Sequence, residues 1–388
     1  MRIGVSSVSI DPVEEDITRT SSGSPSECLE WQPRRTRIAT LDGWRGVAIL
    51  MVIMTHGFEL MPVHTKLFAN VGGLGVDIFF VISGYVITLS ALREYERGGT
   101  ISLGNFYQRR AFRILPVALC YLLVLSIAST YIHLLDPTKH EVLASLFFWR
   151  NYWQVRHPFL GIYTGQYWSL SVEEHFYLLW PTLLCLAGKR RAMALALAGT
   201  AACAGWRYFH YIYCNQPFMA MRTDLRFDGL LLGCSLALFL RNADAREFIL
   251  RNFPKETPVL CALPGLLWYQ HMAGEPSLLT YLLITCALAS TVVVEEGVVY
   301  RWLNSRVLVW IGTVSYSLYI WQQLFMRHVP GETPLGWAQK LPINLVVTFA
   351  VAAGSYYFLE RPAQRLGRKL AGGIGNEAMV HHVAVPLT

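Results

Sequence analysis

About ten apolar runs, each near the length of a bilayer crossing, dominate this sequence and leave few folds open to it. They fall at about residues 44–62, 71–92, 112–134, 168–187, 191–212, 224–240, 257–272, 277–294, 307–328 and 341–359. In hydrocarbon every backbone polar group needs a partner within its own segment, so runs of this length become helices. The 257–272 run is the weakest, being short and interrupted by Pro264 and Gly265. A chain that is 53% hydrophobic and 15% charged fits the same class. The reading is all-α: a polytopic integral membrane helical bundle of about ten transmembrane helices.

Charge sets the orientation. With the N-terminus placed inside, the loops on that side hold Arg93, Arg97, Arg109, Arg110, Arg113, Lys189, Arg190, Arg191 and most of the other cations. Those on the far side hold few. Both termini are therefore expected on the cytoplasmic face of a bacterial-type cytoplasmic membrane. The net charge of +7 is accounted for by these loops, and no nucleic-acid partner is read from it. The eight cysteines form no CxxC pair and most lie in apolar runs, which argues against a disulfide framework or a zinc site; no metal is expected. Residues 1–40 are polar, without an apolar signal region, and read as a disordered cytoplasmic extension. Residues 41–362 form the membrane domain and 363–388 a cytoplasmic tail. The connection at about 135–167 exceeds ordinary loop length, so it is either functional or partly structured. Its Phe147–Trp153 core suits an interfacial aromatic belt or a stacking surface for a sugar ring.

Ionisable groups inside the runs are costly and mark candidate sites. Arg45 and His56 are eleven residues apart on the first run, on one helical face and about 16 Å apart along the axis. Counting from the ends of the runs, His56, Asp77, Glu173, Glu174, Asp224 and Asp228 come to one layer in the outer half of the membrane. One shared, hydrated cavity is the economical arrangement. Ion pairing of Asp228 with Arg226, Arg222 or Arg207 is the plainer account of the 224–240 run. On the inner side, Arg110 and Arg113 serve either as positive-inside anchors or, with Arg45, as bidentate holders of phosphate.

A histidine beside a carboxylate from Asp77 or Glu173, with no metal-ligand spacing, suggests general-base chemistry on an attacking hydroxyl. Arginines at the inner end and a base about 16 Å away suit a donor with a phosphate head and a long reactive arm. Acyl-CoA has that shape. Trp168, Tyr177 and Asp228 are placed on the acceptor side.

From Leu41 to Pro362 the sequence also resembles the membrane-bound acyltransferase family 3. The resemblance rests on Leu41-Asp-Gly-Trp-Arg-Gly with His56, on Gly73-Leu-Gly-Val-Asp-Ile-Phe-Phe-Val-Ile-Ser-Gly-Tyr85, and on Asn105-Phe-Tyr-Gln-Arg-Arg-Ala-Phe-Arg113. Trp168-Ser-Leu-Ser-Val-Glu-Glu-His-Phe-Tyr177, Arg226-Phe-Asp-Gly229 and Glu360-Arg-Pro362 complete it. It implies transfer of an acyl group, acetyl being expected, from acyl-CoA to a hydroxyl on a polysaccharide, glycolipid or macrolide. It further implies that Arg45 and His56 match the essential Arg and His of the family's first helix, with His56 as base, that Glu173 belongs to the catalytic cavity, and that Arg110 and Arg113 lie on the donor side. His175 departs from the glutamine common in relatives. After Glu360 no fused hydrolase-like domain is expected, so the chain would finish the transfer itself or hand the acyl group to a biosynthetic or export partner. Direct transfer is preferred to a relay through His56 or Tyr177. The alternative class is a proton-coupled transporter, against which stands the lack of a repeat relating the two halves.

Overall fold

The computed structural model describes residues 38–58, 70–132, 135, 137–158, 160–214, 219–272, 274–326 and 335–377. The expected N-terminal extension lies outside the described residues up to 37, as does the last part of the expected tail. Residues 38–40 already lead into α1 (Ala39–Phe58). α2 (Val71–Gly98) ends where Gly99, at φ 70°, turns its N–H back to Tyr95 O. α3 (Leu103–Ser129) begins on Ser102, whose hydroxyl accepts from the Asn105 N–H. Because α3 starts well before residue 112, Arg110 and Arg113 lie about two to three turns inside a helix rather than at its mouth.

The long connection is structured, with α4 (Lys139–Leu146), α5 (Arg150–Arg156) and a 3-10 turn at Ile162–Thr164. Arg150 is fully buried in it, donating from Nε to Thr164 Oγ1 at 2.9 Å and from Nη2 to Gly161 O at 2.8 Å. Thr164 in turn donates to Glu141. Burial draws the Arg150 guanidinium down to about 10, against the pull of Glu141. α6 (Tyr167–Tyr213) follows and starts inside the bundle, for Tyr167 is fully buried and donates to Ala118 O at 2.7 Å. Gly188, at φ 72° and ψ 168°, breaks α6 into two arms beside the basic Lys189-Arg190-Arg191 turn.

Two 3-10 turns, Met219–Met221 and Thr223–Leu225, lead to α7 (Phe227–Phe239). Then come α8 (Ala243–Asn252), α9 (Thr257–His271), α10 (Leu278–Val293) and α11 (Gly297–Leu303). α12 (Arg306–Thr313), α13 (Ser315–Met326), a 3-10 turn at Gly336–Gln339 and α14 (Ile343–Ser355) carry the chain to a π turn at Tyr356–Glu360. The stretch expected as a tail continues as α15 (Arg361–Glu377).

The described residues form helices and no strand, as the sequence predicts. Of the ten expected spans, three helical stretches meet a length and apolarity test: Val71–Gly98, Leu103–Ser129 and Ile343–Ala371. α10 and α11, bent by 86°, make a fourth if counted together. α1 is long enough but does not meet the apolarity criterion, and the others are shorter or interrupted. The 307–328 run is split at Val314 between α12 and α13, and α7 reaches only about 20 Å. α7 nonetheless packs tightly on α2, because Gly84 lies against the Leu230 backbone and Gly233 against that of Val81. This contact sets the ionisable groups of the two helices side by side.

Candidate active site

Side chains of several helices gather around Arg110 and Arg113. α3 presents its guanidinium to the side chains of α6, with Cζ 3.5 Å from the Tyr177 ring centroid. Arg110 Nη2 lies 3.5 Å from Glu173 Oε2, and Nε 3.9 Å from Glu174 Oε1. The other Glu173 oxygen accepts from Ser83 Oγ of α2 at 2.7 Å. One turn along α3, Arg113 faces Arg45 of α1, Arg110 and Glu360, and has no carboxylate within 4 Å among the described residues. Glu360 is instead held by Ser317 Oγ at 2.7 Å and Gln364 Nε2 at 3.0 Å. Arg45 lies 3.4 Å from Asp42. Arg110 is thus committed to carboxylates and a ring, whereas Arg113 is a guanidinium among like charges, the more natural position for an added anion.

A second layer lies nearer the start of α2. Asp77, fully buried, has Arg226 Nη1 at 3.1 Å and accepts from Tyr281 OH at 2.9 Å. Asp228, also fully buried, takes both Arg207 nitrogens, at 2.9 and 2.6 Å. The Arg226 guanidinium sits 5.0 Å from the Trp168 ring and 5.4 Å from that of Phe80. Two acids and two arginines therefore neutralise one another where they are buried, as burial requires.

These placements correct the expected single layer. Ser83, the partner of Glu173, is six residues along α2 from Asp77, so the Glu173 carboxylate sits about 9 Å further from the start of that helix. The cause is the structured connection, under which α6 begins below the end of the bundle. Asp224 and Asp228, expected in the same layer, lie in different elements. Asp224 is in a 3-10 turn, bonded by Arg222 and Trp206 Nε1, while Asp228 is in α7. Both oxygens of Asp228 accept from Arg207, so it is paired within this layer. The pairing with Arg207 is one of those expected from the sequence.

His56 stands near the end of α1, where Thr55 Oγ1 accepts the Gly72 N–H at 2.7 Å. Its Nδ1 is 3.1 Å from Val52 O. A carbonyl only accepts, so Nδ1 carries the proton and the Nε2 lone pair is the basic one. A backbone carbonyl, not the expected Asp77 or Glu173, orients this nitrogen. Both carboxylates are engaged by arginines in the layers described above. His175 is a hydrogen-bonding residue, Nδ1 lying 2.7 Å from Thr223 Oγ1, which also accepts from Asn151 Nδ2 at 2.8 Å. Sequence reasoning assigned no role to Ser83; its position beside Gly84 in an apolar run was the available signal. Among the described residues no cluster of His, Cys, Asp and Glu suits a metal.

Residues 38–360 match the model of a family described as an acyltransferase domain. The chain is 30% identical over 365 residues to a Staphylococcus aureus protein named "Putative O-acetyltransferase", covering 86% of this chain and 58% of that one. It is 27% identical over 362 residues to the peptidoglycan O-acetyltransferase OatA of Listeria monocytogenes, covering 86% and 57% respectively. It therefore spans less than two thirds of the length of these curated relatives. No solved structure matches the chain.

Proposed function

The chain belongs to the acyltransferase family whose model spans residues 38–360, and from that premise we propose that it is an integral membrane O-acetyltransferase. On this reading it moves an acetyl group from acyl-CoA to a hydroxyl of a carbohydrate or glycosylated acceptor. A polysaccharide acceptor is favoured by the relatives' names. The observation that carries the proposal is that one helix, α1, joins the arginine cluster to a histidine of defined tautomer. Arg45 is within electrostatic reach of Arg113 at one end, and His56, its Nδ1 toward Val52 O, stands at the other, about 16 Å along the axis.

In this scheme Arg113, with Arg45, holds the donor's phosphate groups and Arg110 supports that cluster through Glu173 and Tyr177. The pantetheine arm runs along α1 toward His56. His56 Nε2 takes the proton of the acceptor hydroxyl as its oxygen attacks the thioester carbonyl. The C–S bond breaks, the acyl group stays on oxygen, and the proton passes from the imidazolium to the leaving thiolate, giving CoA and the ester. Asp77 and Arg226 wall the cavity beside Trp168. Ten spans with both termini cytoplasmic would bring the donor from inside and the acceptor from outside.

The test is acyl-CoA turnover by purified protein in liposomes, wild type beside His56→Ala, over a panel of glycosylated acceptors. Acceptor-stimulated CoA release that needs His56 supports the reading. Release that persists in the variant removes His56 from the mechanism. No release from folded protein, with proton-coupled uptake instead, would favour a transporter.

A further inference from the structure

α15 takes no part in the proposed chemistry, yet its surface is sorted into three faces. Gly367 and Ala371, one turn apart, are buried, Gly367 against the Phe112 side chain of α3. Arg361, Arg365, Arg368 and Lys369 are all exposed and share an arc of about 100° on another side of the helix. Leu366 and Leu370, 49% and 42% exposed, form a third face next to Lys369.

The cationic face is not balanced from within. Arg109 is paired to Glu94 at 2.6 Å and Arg241 to Glu96, but among the described side chains no carboxylate lies within 4 Å of any of the four. Between Arg361 and Asn376 the sequence holds no acid at all. Four like charges on one arc repel each other and draw an anion to that side.

The level of the face along its helix narrows what that anion is. Ile343–Ala371 is one apolar stretch of 29 residues. At 1.5 Å per residue it is about 43 Å long, against about 30 Å of hydrocarbon. For a helix that enters at Ile343, the hydrocarbon ends near residue 363, so Arg361 to Lys369 straddle the headgroup layer, about 5–7 Å deep. Tyr357, one turn before Arg361, accepts from Trp310 Nε1 at 3.1 Å, and both rings are exposed, as aromatic side chains at a membrane interface are. The exposed leucines fit the same place, since apolar side chains beside cations suit a helix lying at the boundary of headgroups and acyl chains.

We propose that Arg361, Arg365, Arg368 and Lys369 form a docking surface for the headgroups of anionic phospholipids, with Leu366 and Leu370 seated on the acyl chains beside them. It rests on the membrane reading of this chain and not on the transfer chemistry. A phospholipid suits the surface better than a free phosphate because it also covers the leucines. Lipid bound here braces α15 on α3, the helix that carries Arg110 and Arg113.

The test uses full-length protein in nanodiscs of phosphatidylcholine with a minor fraction of phosphatidylglycerol. After extraction into mild detergent, retained lipid is counted by native mass spectrometry. Wild type should retain phosphatidylglycerol well above its share of the bilayer. Each of Arg365→Gln, Arg368→Gln and Lys369→Gln should weaken that enrichment, by up to about fivefold per cation, and the triple variant should lose it. In phosphatidylcholine alone the triple variant should melt with wild type, which separates lost lipid from lost fold. Lys189→Gln, Arg190→Gln and Arg191→Gln together, an equal change of charge at the α6 break, should leave the enrichment in place. No enrichment in wild type, or equal loss in the two triple variants, overturns the proposal. So does release of the lipid by inorganic phosphate at constant ionic strength, which would make the face a site for free anions. Protein that does not enter nanodiscs would fault the membrane reading as well.

Discussion

The Arg110 guanidinium lies over the ring of Tyr177, its Cζ 3.5 Å from the centroid, while Nη2 and Nε approach Glu173 and Glu174 on the same α6 segment. A planar guanidinium can stack and bond in its plane at once; an ammonium cannot. The consequence is that α3 and α6 are joined at the level of the candidate donor site by a group whose shape matters as much as its charge.

Arg110→Lys should therefore behave as a damaging change. It keeps the charge and loses the contact over the Tyr177 ring, and kcat/KM for acyl-CoA is expected to fall about tenfold or more, about 1.4 kcal/mol. Steady-state kinetics with donor varied at saturating acceptor check it. A lysine variant with wild-type kcat/KM would show that charge alone suffices.

Arg113→Gln should act differently, because Arg113 has no carboxylate within 4 Å and sits beside Arg45 and Arg110. Removing it relieves repulsion, so the fold should hold or gain slightly in stability. Donor KM should nevertheless rise, and its dependence on salt should flatten as one phosphate contact is lost. An unchanged donor KM across ionic strength would make Arg113 an orientation signal only.

Asp228 is fully buried and bonded by both Arg207 nitrogens. Arg207→Met leaves that carboxylate unpaired and is expected to cost about 3–5 kcal/mol. Replacing both partners, Arg207→Met with Asp228→Leu, should recover most of the loss. Thermal unfolding of the two variants in detergent decides between them. Equal losses would mean that the pair holds something beyond itself.

Gly84 and Gly233 let α2 and α7 touch through their backbones. A methyl group at either would meet main chain, which does not yield as a side-chain tip would. Gly84→Ala should destabilise by about 1–3 kcal/mol through overpacking and should disturb Asp77 and Arg226 at the same interface. The readout is a lower melting temperature with reduced turnover in the fraction that stays folded.

The helical class was legible because hydrocarbon-length apolar runs allow little else. Gly188 and the basic turn after it marked a break that α6 contains. The grouping of Arg45, Arg110 and Arg113 was also legible, from their shared inner end. Depth was not. Counting residues from the start of 168–187 put Glu173 level with Asp77, and that count assumes that every run starts at the membrane surface. α6 starts under α4 and α5, so the assumption fails there and Glu173 falls to the level of Ser83.

By itself the sequence determined that the apolar runs are helical, where the charges fall along them and which motifs place the chain in its family. Those properties are local, set by backbone bonding and solvation within a segment. Pairing was decided only by the tertiary structure. Asp77 went to Arg226, Asp228 to Arg207, Glu173 to Ser83 and Arg110, and the Nδ1 of His56 to a carbonyl of its own helix. A buried charge takes the partner that packing brings within bonding distance, and that distance is fixed by close contacts such as Gly84 on Leu230, between residues far apart in the chain.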